Sequence, residues 1–260
     1  MDIFEALILG IIQGLTEFLP VSSSGHLEIT KAIFGVDAES SFSFSVAVHG
    51  ATVLSTIVVF WQEIVRLIRG TLEFKYNEET RYILKIGISL IPVMIVGLFF
   101  KDKVESYYNG NIVFVGFMLL ITAGLLVLGS VIKGSKRSIN YLDAFVIGIA
   151  QALAVLPGIS RSGATISTGL LIGNNRNELA RFSFLMVLIP VIGANLIEIL
   201  GGDLRAENTV GPAILIAGFV SAFITGYMAC RWMINIVKRG KLYWFGIYCL
   251  ILGIVSILVF

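Results

Sequence analysis

Two short stretches of this 260-residue chain hold most of the side chains that could do chemistry. The first reads Q-G-L-T-E-F-L-P-V-S-S-S-G-H over 13–26, and the second reads P-G-I-S-R-S-G-A-T over 157–165. Gln13 and Glu17 stand four apart, on one face if the segment is helical. Pro20 ends such a helix, because it lacks an N–H and disfavours the helical region in the residue before it. Ser22, Ser23 and Ser24 then form a break, and Gly25 has access to dihedrals closed to other residues. A new helix is predicted to start near Ser24, with His26 in its first turn. Its free N–H groups and positive dipole end make an anion site, surrounded by three hydroxyls, an imidazole and a carboxylate. The second stretch repeats the plan. Pro157 and Gly158 break the chain, Ser160 and Ser162 carry hydroxyls, Gly163 follows, and Thr165 lies one helical turn beyond Arg161. Arg161 offers a planar fork of donors suited to phosphate. Two helix N-termini and one Arg describe a site for a multiply charged anion, and a diphosphate fits better than a carboxylate.

The elements that must position these residues belong in a membrane. Apolar residues make up 57% of the chain and charged residues 14%, where soluble domains carry about 25% charged. The net charge of +2 supplies no basic surface. Together these exclude a soluble enzyme, a disordered chain and a nucleic-acid binder. Two cysteines, Cys230 and Cys249, exclude a disulfide framework and a thiolate zinc site. The N-terminus has Asp2 and Glu5 but no Lys or Arg, unlike a cleavable secretory signal. A spanning helix needs about 20 mostly apolar residues, and six segments qualify: 44–61, 83–100, 112–132, 182–200, 211–230 and 243–260. Residues 4–35 and 143–173 do not, because polar breaks divide each into pieces too short to span. Each reads as a re-entrant hairpin, whose irregular backbone must be satisfied by protein or a water-filled cavity. The predicted fold is therefore all-α and integral to the membrane, with six transmembrane helices and two re-entrant hairpins in a single domain.

The two hairpins resemble each other. At a shift of 138 residues, Gly10, Ile11, Gln13, Leu15, Ser22, Ser24, Gly25, Thr30 and Gly35 recur as Gly148, Ile149, Gln151, Leu153, Ser160, Ser162, Gly163, Thr168 and Gly173. The chain thus divides into a repeat over 1–132 and another over 133–260. Each holds a hairpin and three crossings, an odd number, so the second repeat is expected to sit inverted. Paired broken segments in inverted repeats point to a site near the midplane. Of the 19 Lys and Arg, fourteen lie at Arg66–Lys85, Lys133–Arg137, Arg176, Arg181 and Arg231–Lys241. Lys31, Lys101, Lys103 and Arg205 lie on the other side. The basic side is expected to be cytoplasmic, which puts both termini outside. These loops set topology, and 61–70 begins as an interfacial helix.

Ionisable residues at membrane depth are functional candidates by default: here Glu17, His26, Glu28, His49, Arg161 and Glu198. His49 reads equally as a core histidine, Glu28 as a residue of the outer mouth, and Glu198 as a helix-end group. A buried Arg costs about 2.5–3.5 kcal/mol on insertion scales, so a carboxylate or a bound anion must compensate Arg161.

At these residues the sequence resembles the undecaprenyl-diphosphate phosphatase family of the bacitracin-resistance type. That family's signatures are a Glu/Gln-rich stretch running into P-x-S-S-[ST]-G-H, and P-G-x-S-R-S-G-x-T. Both stand complete at 13–26 and 157–165. The resemblance implies hydrolysis of undecaprenyl diphosphate to the monophosphate at the outer face of the bacterial plasma membrane. This regenerates the lipid carrier of peptidoglycan synthesis. It places the family's acidic pair at Gln13 and Glu17, the nucleophile or its partner at Ser23 or His26, and a diphosphate clamp at Ser160, Arg161 and Thr165. Ser22, Ser24, Gly25, His49, Ser162 and Gly163 complete the expected substrate site. A divalent cation, Mg2+ or Ca2+, could be held by Glu17 with substrate oxygens. The expected partners are a long-chain prenyl diphosphate and the membrane, with a homodimer compatible and no nucleic acid.

Other readings compete. Inverted repeats with broken helices also build transporters, which would move a lipid phosphate without hydrolysing it. A type 2 phosphatidic acid phosphatase needs S-R-x5-H-x3-D, and Ser167 stands where that His would be. An intramembrane serine protease would have to pair Ser162 with His26 across the hairpins without a third orienting group.

Overall fold

Asp2 and Glu5 open the chain as a capping box. The Asp2 carboxylate accepts from the Glu5 N–H at 2.8 Å, and the Glu5 carboxylate accepts from the Asp2 N–H at 2.7 Å. These bonds satisfy donors that a helix start leaves free. In the computed structural model, which describes residues 1–35, 42–108, 110–132, 137–200 and 210–260, this box begins helix α1 (Ile3–Phe18). Pro20 follows its end. Ser22 then caps α2 (Ser23–Phe34), accepting from the Gly25 N–H at 3.3 Å, and Gly35 closes α2 at φ +64°.

The pattern recurs 138 residues later. Asn140 and Asp143 form a second capping box at the start of α8 (Tyr141–Leu153). Ser160 caps α9 (Arg161–Leu171), accepting from the Gly163 N–H at 3.1 Å. Both hairpins are thus two short helices around a break, as the polar interruptions predict.

The remaining helices are α3 (Phe42–Val59), α4 (Trp61–Leu72), α5 (Glu78–Phe99), α6 (Lys101–Glu105), α7 (Ile112–Val131), α10 (Arg176–Leu200), α11 (Pro212–Arg239) and α12 (Tyr243–Val259). Among the described residues there are no strands, only one isolated bridge between Arg137 and Asn174. Four helices are long and apolar enough to cross a membrane: α5, α7, α10 and α11. The pair α3 and α4, bent by 73° at Phe60, makes a fifth if counted as one span. Each of the six expected crossings falls on a helix; α3, α7 and α12 match within two residues, whereas α5 and α10 begin five and six residues earlier and α11 ends later. α11 runs nine residues past the expected Cys230, because Arg231, Lys238 and Arg239 continue the helix beyond its apolar stretch. α12, at 17 residues, lies at the short end of the spanning range. Lys133, Lys136 and Arg205 lie outside the described residues, as does the side chain of Glu198.

Small residues let the helices meet backbone to backbone, as is usual in membrane bundles. A Cβ at Gly10 would lie 2.5 Å from the Gly218 carbonyl oxygen, and one at Gly14 would lie 2.5 Å from that of Ala222. Gly10 and Gly14 therefore seat α1 directly on α11. Gly148 seats α8 against Ser89 of α5 in the same manner, and Gly116 seats α7 against Gly253 of α12. The first helix of each hairpin thus packs on a helix from the other half of the chain.

Candidate active site

Glu17 is the meeting point of the two hairpins. Its last-turn position on α1 puts it one turn beyond Gln13, whose Nε2 donates to Glu17 Oε2 at 3.1 Å. Ser23, the first residue of α2, donates its hydroxyl to the same oxygen at 2.6 Å. Arg161, the first residue of α9, donates from Nη2 to Glu17 Oε1 at 2.7 Å. One carboxylate therefore takes three donors from three helices. The Glu17 side chain is 9% exposed and that of Arg161 28% exposed. The compensation that Arg161 requires at depth is this carboxylate, in a charge-assisted bond of the short, strong kind.

The hairpin breaks touch. A Cβ at Gly25 would approach Gly158 Cα at 3.1 Å, and one at Gly163 would contact Pro20 at 3.4 Å. Gly25 is helical, so its small size serves this close approach. The left-handed backbone expected there belongs instead to Ser22, at φ +70°. A non-glycine residue held in such a sparsely populated region costs of order 1–3 kcal/mol, and such strain clusters at functional sites. The Ser162 hydroxyl leans toward the carbonyls of Phe18 and Leu19 at 3.4 and 3.5 Å. From α7, Thr122 ties down the second break, donating to the Gly158 carbonyl at 2.9 Å and accepting from the Ser160 N–H at 3.1 Å.

The other expected residues divide. The Ser22 and Ser160 hydroxyls are engaged as helix caps. Ser24 stands 3.3 Å from Ser22, hydroxyl to hydroxyl. His49 bonds the Ser45 carbonyl at 2.8 Å and lies within electrostatic range of both Glu17 and Arg161, which draws it into the site's surroundings. Thr165 is fully buried and makes no hydrogen bond to the carboxylate. It bonds Ser183 at 2.5 Å and the Arg161 carbonyl at 2.8 Å, joining α9 to α10. Glu28 pairs with Lys31 at 3.5 Å. His26 does not meet Ser23 or Glu17 by hydrogen bond. Its Nδ1 lies 2.8 Å from the Ser22 carbonyl and its Nε2 2.7 Å from the Tyr248 hydroxyl.

Beside the carboxylate runs a narrow cleft of about 30 Å³, lined by Glu17, Arg161, Ser162, Thr52, Thr56 and Ser183 together with Phe18, Val53, Phe184 and α10 aliphatics. One water needs about 10–15 Å³ of such space, so the cleft has room for ordered water next to the charged pair. Thr52, Thr56 and Ser183 were not singled out by spacing, because each reads as an ordinary hydroxyl inside an apolar helix. Tyr248 and Thr122 also gave no local signal.

The donor set is compatible with a cation. No cluster of three His, Cys, Asp or Glu exists among the described residues. Gln13 Oε1, however, is buried without a hydrogen-bond partner beside Glu17. An oxygen pair completed by phosphate oxygens suits a hard divalent ion.

Comparison with known proteins places the chain in a family. The profile of bacitracin resistance protein BacA matches residues 6–255. The chain is 54% identical to the undecaprenyl-diphosphatase of Christiangramia forsetii, over 99% of its own length and 98% of the relative's. It is 53% identical to the protein of the same name from Bacteroides fragilis, over 100% and 98% of the two lengths. A more distant protein of that name, from Halothermothrix orenii, is 36% identical over 99% and 98%. By sequence, by its two complete motifs and by a match over nearly its whole length, the chain belongs to the bacitracin resistance protein BacA family.

Proposed function

We propose that this protein is an integral membrane hydrolase that cleaves undecaprenyl diphosphate to undecaprenyl phosphate and phosphate, recycling the carrier lipid and so conferring bacitracin resistance. The observation that carries the reading is the Ser23–Glu17–Arg161 contact, which puts a hydroxyl, a proton acceptor and a phosphate-binding cation at one point between two helix starts. Phosphoryl transfer is mostly positioning and charge neutralisation, and these groups supply both.

Ser23 Oγ attacks the terminal phosphorus and its proton passes to Glu17. The bond from phosphorus to the bridging oxygen breaks, and undecaprenyl phosphate leaves. Water then attacks the phosphoserine, phosphate departs, and the Glu17 proton returns to Ser23. Arg161 and the first-turn N–H groups of α2 and α9 hold the phosphate oxygens. Ser23 is favoured over His26 as nucleophile because its hydroxyl already donates to a carboxylate, whereas both His26 nitrogens are engaged elsewhere. A divalent cation, when bound, neutralises phosphate charge, and Gln13 Oε1 and Glu17 are the residues that would hold it. Gln13, Ser162, His49 and the capped turns around Ser22, Ser24, Gly25, Ser160 and Gly163 shape the anion site, with Thr165 supporting Arg161 from behind.

The same reading takes residues 1–132 and 133–260 as inverted repeats, with six crossings and two re-entrant hairpins. The paired capping boxes and the packing of α1 on α11 and α8 on α5 support it. It sets the protein in the bacterial plasma membrane with both termini outside, the site open to the outer face, and a homodimer as one possible assembly.

The test is phosphate release from undecaprenyl diphosphate by purified protein, wild type against Arg161→Ala. Release by the wild type alone supports the hydrolase. No release, with movement of the lipid between leaflets, establishes a transporter instead.

A further inference from the structure

His26 and Tyr248 come from opposite ends of the sequence, 222 residues apart, and meet in two ways. Their ring centroids lie 5.6 Å apart with planes inclined by 12°, a stacked arrangement, and the Tyr248 hydroxyl lies 2.7 Å from His26 Nε2. The next residue on α12, Cys249, faces the same hairpin, with its sulfur 3.9 Å from the Pro20 carbonyl oxygen. α12 therefore holds the first hairpin at its break and at the first turn of its second helix.

The other nitrogen of His26 decides the direction of the Tyr248 bond. Nδ1 faces the Ser22 carbonyl at 2.8 Å, and a carbonyl only accepts, so Nδ1 carries the proton. In the neutral ring Nε2 is then a lone pair, and the Tyr248 O–H must donate to it. Stacking fixes the plane of the imidazole and the two hydrogen bonds fix its rotation. A partner on the second nitrogen is the usual means by which a protein selects a histidine tautomer. Ser23, meanwhile, donates to Glu17, so the hydroxyl and the imidazole have separate partners in the resting site.

We propose that Tyr248 is a positioning residue that, together with the Ser22 carbonyl, holds the His26 ring as the Nδ1–H tautomer, with Nε2 unprotonated and engaged by the Tyr248 hydroxyl. This role rests on the hydrolase reading for its consequence in catalysis, but the state of His26 is measurable without it. The chain has two histidines, so the full-length protein with 15N-labelled histidine gives two ring systems, assigned by the loss of one in His49→Gln.

In the wild type, His26 should show a protonated Nδ1 and a hydrogen-bonded, unprotonated Nε2. Tyr248→Phe keeps the stacking and removes the hydroxyl. It should shift the Nε2 signal downfield, because the hydrogen bond to its lone pair is lost while Ser22 keeps the proton on Nδ1. In turnover of undecaprenyl diphosphate the same variant should lose about fivefold in kcat, the rate equivalent of about 1 kcal/mol of lost hydrogen bonding, with KM changed less than about twofold. Tyr248→Leu, which also removes the ring, should lose more. Unchanged His26 signals in Tyr248→Phe, or a protonated Nε2 in the wild type, would overturn the assignment, as would wild-type kcat in Tyr248→Phe. If the wild type itself releases no phosphate, the hydrolase reading fails and the histidine spectra alone decide the role of Tyr248.

Discussion

Arg161 and Glu17 stand 144 residues apart in sequence and 2.7 Å apart in space, and the bond between them is a charge-assisted link between the two hairpins. Removing one partner of a buried ion pair leaves the other charge uncompensated and costs about 3–5 kcal/mol. Glu17→Gln and Arg161→Met should each lower the thermal stability of the purified protein by a cost toward the lower end of that range. The double variant should recover much of the loss while remaining inactive. Additive destabilisation in a double-mutant cycle would show that the pair is not coupled.

Ser23 is bonded to the same carboxylate and is the proposed nucleophile. Rapid quenching during turnover of a prenyl diphosphate labelled in its terminal phosphate should trap label on Ser23 as an acid-stable phosphoester. Ser23→Ala should lose at least about a thousandfold in rate. Acid-labile label on His26 would reverse the assignment.

Thr165 is expected from the family pattern to grip the diphosphate, yet its hydroxyl is committed to Ser183 and to the Arg161 carbonyl. Thr165→Val should therefore act on stability, by about 1–3 kcal/mol for the stranded Ser183 hydroxyl, and should reduce kcat by less than about tenfold. A large rise in KM with unchanged stability would restore the clamp role.

Gln13 occupies a position where the family pattern also admits Glu, and its Oε1 is buried without a partner. Exhaustive chelation should stop hydrolysis, and Mg2+ or Ca2+ should restore it. Gln13→Glu supplies a second charged ligand and should lower the cation concentration for half-activity by about tenfold. Full activity after chelation would remove the cation from the mechanism.

Gly10 has no room for a side chain against Gly218. Gly10→Ala should destabilise the fold by about 1–3 kcal/mol through overpacking. A thermal melt equal to wild type would mean that α1 and α11 separate easily.

The hairpins were legible in the sequence because their determinants are local. Pro20, the serine run and Pro157–Gly158 stop helices, and Ser22 and Ser160 restart them wherever they stand in the fold. The Glu17–Arg161 contact was half legible: spacing put Gln13 beside Glu17, and the cost of burying Arg161 demanded a counter-charge. That Glu17 is the counter-charge depends on two breaks meeting across the bundle, which no window of sequence contains. Gly25 was misassigned for the same reason, since its smallness answers to Gly158 rather than to its own dihedrals. Tyr248 was invisible because it lies in an apolar helix, YWFGIYC, where an aromatic reads as a lipid-facing residue. The bounds of α5, α10 and α11 depart from hydropathy because helices end at caps and turns, not where apolar composition ends.

The crossed packing of α1 on α11 and of α8 on α5 makes the two halves mutually dependent. Neither 1–132 nor 133–260 alone supplies a seat for the first helix of its own hairpin, so a half made by itself would expose Gly10 or Gly148 and their neighbours to lipid without a mate. The halves are therefore expected to behave as two subunits joined by a peptide link. Cut between α7 and α8, the pieces should regain activity when made together in one membrane and show none when made apart. On the proposed inverted-repeat reading, an ancestor of half this length would work only as a pair of chains inserted in opposite directions.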